Sequence, residues 1–272
     1  MVRRVKRKTL YLVIVAITVV YLIPVLYILS MSFTSVGSPI GDGFFPTNPT
    51  FQNYIDVFES GIYTRYLLNG LRVSLTSSLI AVLVGFLAGY AMSRFQFPFK
   101  EKLFIGLIAV RGMPPVLMGI AFFQILVNMR LFDSLIALII LNTIFNTPLA
   151  VWMMRSFIEA IPKELDEAAR IDGCNQFHTI LRVVLPLSVT GLAAIFVQSF
   201  LFSWNEYMFA VTFINSEANK TPPVAIFDFI GQWATNYIGI MTFAVLLSMP
   251  VVIAFISVQR YFVKGLLSGS DK

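Results

Sequence analysis

The chain has 272 residues, of which 57% are hydrophobic, 14% aromatic and only 12% charged, with a formal net charge of +6. A soluble domain carries about 25% charged residues, so this composition excludes a water-soluble globule and indicates an integral membrane protein. One cysteine, Cys174, and one histidine, His178, exclude an internal disulfide and a cysteine- or histidine-built metal cluster.

Six apolar runs approach or exceed the roughly 20 residues that a helix needs to cross a bilayer. They cover residues 10–33, 69–93, 103–127, 135–154, 189–212 and 240–263. The first follows Arg3, Arg4, Lys6, Arg7 and Lys8, a basic start like that of a signal peptide. Its apolar part is too long for a cleaved signal and no small-x-small site closes it, so it reads as a retained anchor helix.

An N-terminus on the inside places residues 94–102, the 155–182 connection and the C-terminal tail inside too. Fifteen Lys and Arg then lie inside, against Arg65, Arg72, Arg130 and Lys220 outside, with Arg111 in a span. That asymmetry predicts both ends on the cytoplasmic face of the plasma membrane.

Two outer connections stand out. Residues 34–68 hold Pro39, Gly41, Gly43, Pro46 and Pro49 before a helix-like stretch at 51–58. Residues 213–239 hold the Lys220-Thr221-Pro222-Pro223 turn and Phe227, Phe229, Trp233 and Tyr237. Two readings fit them, simple connections with interfacial aromatics or a platform for an external partner.

The inner connection between the fourth and fifth spans is the most informative. Pro162 suits the first position of a helix. Glu164, Asp166 and Glu167 crowd the opening turn, where the helix dipole favours acids, and Gly173 supplies a left-handed stop. The spacing predicts a helix of about three turns with Leu165, Ala168, Ala169 and Asp172 near one face. Its small pair, Ala168-Ala169, would let another backbone approach closely. The alternative is an amphipathic helix lying on the membrane, but five acids between Glu159 and Asp172 oppose it, because interfacial helices are rich in Lys and Arg.

Glu167-Ala168-Ala169, three residues, Gly173, nine residues, then Val183-Val184-Leu185-Pro186 resembles the EAA loop of ABC importer permeases, E-A-A-x3-G-x9-I-x-L-P, departing only at Val183. Further strings are similar to carbohydrate importers, namely 45–54, Met113-Pro114-Pro115, the run 161–173, Ser203-Trp204-Asn205-Glu206-Tyr207 and Tyr261-Phe262-Val263-Lys264-Gly265-Leu266. Within that group the chain resembles the shorter, MalG-like permease.

The resemblance implies an all-α membrane protein of six transmembrane helices with the type I ABC importer permease fold. It divides the chain into a tail and anchor helix (1–33), an external loop (34–66), a core (67–262) with the coupling loop at 158–188, and a tail (263–272). It implies a longer MalF-like permease, a homodimeric MalK-like ATPase and an external sugar-binding protein as partners, with no nucleic acid involved. By the same carry-over, Glu164, Glu167, Ala168, Ala169, Asp172, Gly173 and Pro186 form the ATPase-coupling surface, Glu167 pairing with a basic group of the ATPase. This chain lacks a G-x-x-x-x-G-K-[ST] phosphate loop, so it is expected to be no enzyme and to bind no cofactor, with ATP and Mg held by the ATPase.

Candidates for the translocation pathway are Arg111 with Pro114 and Pro115, which should kink the third span, and Trp204, Asn205, Glu206 and Tyr207 near the outer end of the fifth. Ionisable groups at membrane depth face the protein interior or a water-filled cavity, and sugar sites combine aromatic faces with amides and carboxylates. Arg111 could instead tie helices or snorkel, and Glu206 could meet water or the binding protein. The expected cargo is a di- or oligosaccharide of the maltose or trehalose type. An importer for another polar solute, such as a polyamine or phosphate, shares the coupling loop, whereas a secondary transporter or membrane enzyme would need internal repeats or paired membrane acids that the chain lacks.

Overall fold

A computed structural model describes residues 2–37, 43–46, 48–231 and 235–269, with side chains between 8 and 259. Pro39, Gly41 and Trp233, and the side chains of Arg3, Arg4, Lys6 and Arg7 and of 261–266, lie outside the described residues. The fold is helical, with two isolated bridges, Thr34–Pro49 and Ile230–Thr235, as the extended pairings among the described residues. Among the described residues, four single helices are long and apolar enough to cross a membrane. They are α1 (Val2–Met31, apolar from Lys8), α3 (Ile62–Arg94), α6 (Leu135–Glu159) and α13 (Tyr237–Gly269, apolar to Gln259).

The third predicted span is not one kinked helix. It is α4 (Lys100–Arg111) and α5 (Pro115–Asn128), bent by 99°. Pro114 and Pro115 remove two consecutive N–H donors, and Pro114 takes an extended ψ of 127°, so the ladder stops at Arg111 and restarts with Pro115 in the first turn. The fifth predicted span is also divided, into α10 (Val189–Trp204) and α11 (Met208–Phe213). Asn205 turns its amide back onto the Leu201 carbonyl at 2.8 Å, and Glu206 then caps a new helix.

The chain forms two compact units. In the unit of residues 1–64 and 225–250, the Asn53 side-chain amide, on α2 (Gln52–Glu59), donates to the carbonyls of Ser32 and Thr34, both at 2.8 Å. Tyr63 stacks on Phe229 with ring centroids 4.8 Å apart. Most of the apolar run of α1 is exposed among the described residues, with Tyr27 against Phe44 near its end. An 18-residue apolar helix so exposed is stable only in lipid or against another helix.

The other unit, residues 65–224 and 251–272, holds the main core. Small residues bring its helices together, as is usual in membranes. A Cβ at Gly85 would lie 2.7 Å from that of Ala150, and one at Gly89 2.8 Å from that of Met154, so α3 and α6 touch backbone to backbone. Deeper in, Ser77 of α3 and Asn146 of α6 both donate to the Ser203 hydroxyl of α10, at 2.9 and 3.0 Å. This buried network satisfies polar groups that would otherwise fix no register.

Asp133, between α5 and α6, clamps the connection after α11 by accepting from the backbone N–H groups of Asn215 and Ser216 and from the Ser216 hydroxyl. Burial pushes its carboxyl up, but these donors outweigh that and hold it below the usual aspartate value.

Candidate functional site

The predicted docking helix exists as α7, Glu164–Ile171. It has two turns rather than three and starts two residues after Pro162. The Pro162 and Lys163 carbonyls receive only the opening-turn N–H groups of Leu165, Asp166 and Glu167. The Ile161 carbonyl is taken by the Arg94 guanidinium at 2.9 Å, which fixes the chain in a bend before the helix.

The helix ends as its sequence requires. Gly173 has φ +85°, its N–H donates to the Arg170 carbonyl, and the Cys174 N–H donates to the Ala169 carbonyl at 2.9 Å. That bond pair is a Schellman ending, which consumes carbonyls a helix would otherwise leave open.

Burial divides the helix into two faces. Asp166 and Ala169 point into the protein, whereas Glu164, Leu165, Glu167, Ala168, Ile171 and Asp172 are exposed, Ile171 by 86%. The structure therefore separates the Ala168-Ala169 pair. Ala168 is offered outward, and Ala169 is buried where it is not available to another chain.

The inner face is held by charge. Arg94, the last residue of α3, donates from Nε to Asp166 Oδ2 at 2.8 Å, and both side chains are almost completely buried. Tyr90, one turn earlier on α3, accepts from the Gln176 amide, whose oxygen accepts from Arg170 at 2.9 Å. No local sequence signal marks these partners beyond a basic residue at a helix end. Glu159, counted among the loop acids, belongs instead to α6 and pairs with Arg155, which also grips Glu101 through two nitrogens.

Beyond Gly173, Asn175 caps α8 (Gln176–Thr179), accepting from the His178 N–H at 2.9 Å. The chain then widens into a π-helical turn at Ile180–Val184 before α9 (Leu185–Leu187) and an exposed Pro186. A proline cannot donate to the carbonyl four residues earlier and clashes with it, and the wider turn relieves both. The arm from Gln176 to Leu187 meets α10 at 74°.

The pathway candidates do not converge on one site. Trp204 is 2% exposed, stacked on Phe200 at 5.9 Å, and its ring closes against Gly70. It is a packing residue here. The Glu206 carboxylate accepts from the N–H groups of Phe209 at 2.6 Å and Ala210 at 3.1 Å, so it caps α11. Asn205 and Tyr207 are exposed, as are Arg111, Pro114 and Pro115, and the Arg111 guanidinium lies over the Phe202 ring at 5.9 Å. Pro115 does meet the α11 segment. A cleft of about 310 Å³ is lined by Pro115, Gly119 and Phe123 on one side and Met208, Phe209 and Thr212 on the other. Its walls are apolar apart from Thr212, so it has few groups to hydrogen-bond a sugar.

Several membrane-length helices, a further helix pair broken at Pro114-Pro115 and an acidic two-turn helix mounted on a buried ion pair are the features of a multi-span membrane protein. The profile described as "Binding-protein-dependent transport system inner membrane component" matches residues 81–268, and the chain belongs to that family. It is 32% identical over 271 residues, 98% of each chain, to the trehalose transport system permease SugB of Mycobacterium tuberculosis. It is 30% identical over 253 residues, 93% of this chain and 92% of the relative, to the melibiose/raffinose/stachyose import permease MelC of Bacillus subtilis. Among solved structures, a chain of a bacterial ABC transporter that imports the acidic polysaccharide alginate superposes with a TM-score of 0.78 at 22% identity, covering 95% of this chain and 97% of that one. The fold is that of the ABC importer permeases.

Proposed function

We propose that this chain is the MalG-like permease of a sugar importer, driven by ATP hydrolysis in a separate subunit and carrying a di- or oligosaccharide. The observation that carries this reading is the division of α7 into a locked face and an offered one. Asp166 and Ala169 are buried, while Glu164, Glu167, Ala168 and Asp172 stand exposed on a helix held at both ends. In water an isolated eight-residue helix is marginal, so a fixed and exposed one is suited to seat in a cleft of another protein.

In this reading the N- and C-termini and α7 lie on the cytoplasmic face, following the Lys and Arg asymmetry. Glu167 pairs with a basic group of a MalK-like ATPase, and ATP with Mg stays on that subunit. Closure of the ATPase dimer pulls α7, and rigid-body motion switches the paired permeases, this one and a longer MalF-like one, between inward and outward openings. An external binding protein delivers the sugar. Arg111, Pro114, Pro115, Asn205 and Tyr207 border the path, with Glu206 shaping it by holding α11 rather than by touching cargo.

The sugar class rests on the trehalose and melibiose relatives, each matched over more than nine-tenths of both chains. The test is uptake of labelled trehalose, melibiose and raffinose, against spermidine and phosphate, by vesicles containing the complete transporter. Sugar uptake that Glu167→Ala abolishes, with the chain still inserted, is the expected result. Uptake of spermidine or phosphate alone would overturn the cargo, and full sugar uptake by Glu167→Ala would overturn the coupling surface.

A further inference from the structure

In chain order α7 belongs to the connection between α6 and α10, so a pull on it should reach those two helices first. The geometry adds a helix remote in sequence: we propose that Arg94 is a positioning residue that locks the docking helix to α3, so that α7, α3 and α6 move as one body. This rests on the reading of α7 as the ATPase docking helix.

Arg94 makes two bonds to the start of α7, from Nε to Asp166 at 2.8 Å and from Nη2 to the Ile161 carbonyl at 2.9 Å. Its side chain is 6% exposed and that of Asp166 7%. Tyr90, four residues earlier and therefore on the same face of α3, holds the far end through Gln176, which also takes Arg170 of α7. One helix thus grips the docking helix at both ends.

The Arg94 Nη1 and Asp166 Oδ1 atoms are also buried, with no hydrogen-bond partner. Loss of either residue leaves an uncompensated buried charge, which is far more damaging than loss of an exposed pair. On its other side, α3 is pressed against α6 at Gly85 and Gly89, where there is no room even for a methyl group. Such a close-packed junction transmits displacement instead of absorbing it.

The test uses the transporter assembled with its ATPase in lipid vesicles, with Cys174→Ser as background and spin labels at Leu87→Cys on α3 and Phe177→Cys beside α7. Both positions are exposed. The expected wild-type result is one narrow inter-label distance, unchanged by MgATP. Arg94→Ala should broaden it, shift it on MgATP, and lower hydrogen-exchange protection of residues 164–172 by about a hundredfold, while the ATPase continues to hydrolyse ATP. Arg94→Lys keeps the charge but loses the fork and should fall between the two. The reciprocal pair Arg94→Asp with Asp166→Arg should restore a narrow distance, a rescue that a purely space-filling role would not give. A narrow, MgATP-insensitive distance in Arg94→Ala overturns the proposal. If the alanine variant does not assemble, an unchanged distance in Arg94→Lys, together with no rescue by the reciprocal pair, overturns it. If Glu167→Ala leaves ATPase association intact, the docking reading falls. The distance and exchange data on Arg94 still decide whether α3 and α7 are one body.

Discussion

Gly173→Ala isolates the backbone contribution to the docking helix. At φ +85° an alanine incurs the left-handed penalty, about 1–2 kcal/mol, less about 0.4–1 kcal/mol returned by a stiffer unfolded chain. A Cβ built there meets nothing within 4 Å, so no steric term is added. The net loss of about 1 kcal/mol corresponds to roughly a fivefold increase in local opening. It falls on α7 alone, because the Schellman bonds from Gly173 and Cys174 close only that helix. Hydrogen exchange of amides 164–174 in the reconstituted transporter measures it. Asparagine tolerates left-handed backbone, so Gly173→Asn should restore most of the protection. Gly173→Asp should be similar in exchange yet lose uptake, since its charge enters the docking surface beside Asp172. Equal protection in the alanine variant and the wild type would refute the backbone argument. Equal loss in the alanine and asparagine variants would show that the side chain itself, and not φ, matters.

Glu206→Ala should remove the cap of α11 at a cost of about 1 kcal/mol and lower thermal stability, while Glu206→Gln, which keeps an acceptor oxygen, should retain most of it. If both variants lose trehalose uptake equally with stability unchanged, the carboxylate acts on cargo rather than on the helix. Asp133 predicts an acid-sensitive loop. Its carboxyl titrates below the ordinary value when folded, so its stabilising contribution is present above about pH 4 and is lost as pH falls through that lowered value. Proteolysis between Asn215 and Asn219 should accelerate in that acid range, and Asp133→Asn should be cleaved faster at neutral pH with little further change on acidification.

Much of this protein was legible without coordinates because its signals are local. Hydrophobic run length locates α1, α3, α6 and α13, although each helix outruns its apolar stretch, α1 by eight and α3 by seven residues at the start, α6 by five and α13 by six at the end. Glycine at a left-handed position and acids in a first turn depend on backbone sterics and dipoles within a few bonds, so the Gly173 stop and the acidic opening turn of α7 could be read directly, though its first residue could not. The EAA spacing likewise lies within one stretch of chain.

Other features depend on residues far apart. Periodicity gave Ala168 and Ala169 equal weight, but only the packing of α7 against α3 decides that one is offered and the other buried. Glu206 reads from sequence as a pathway group or an interface group, and only the turn at Asn205 shows that its carboxylate also accepts from the N–H groups of Phe209 and Ala210. Two adjacent prolines announce a break, yet the 99° bend depends on what α4 and α5 pack against. The Arg94–Asp166 pair joins residues 72 positions apart, a separation at which no local rule of charge spacing applies. The sequence by itself therefore determined the membrane class, most of the helices and the acidic two-turn segment with its glycine stop, because these follow from short-range sterics and from the water-to-lipid transfer of contiguous side chains. The tertiary structure decided which face of α7 is exposed and which helix holds it, because buried charges choose their partners across the whole fold.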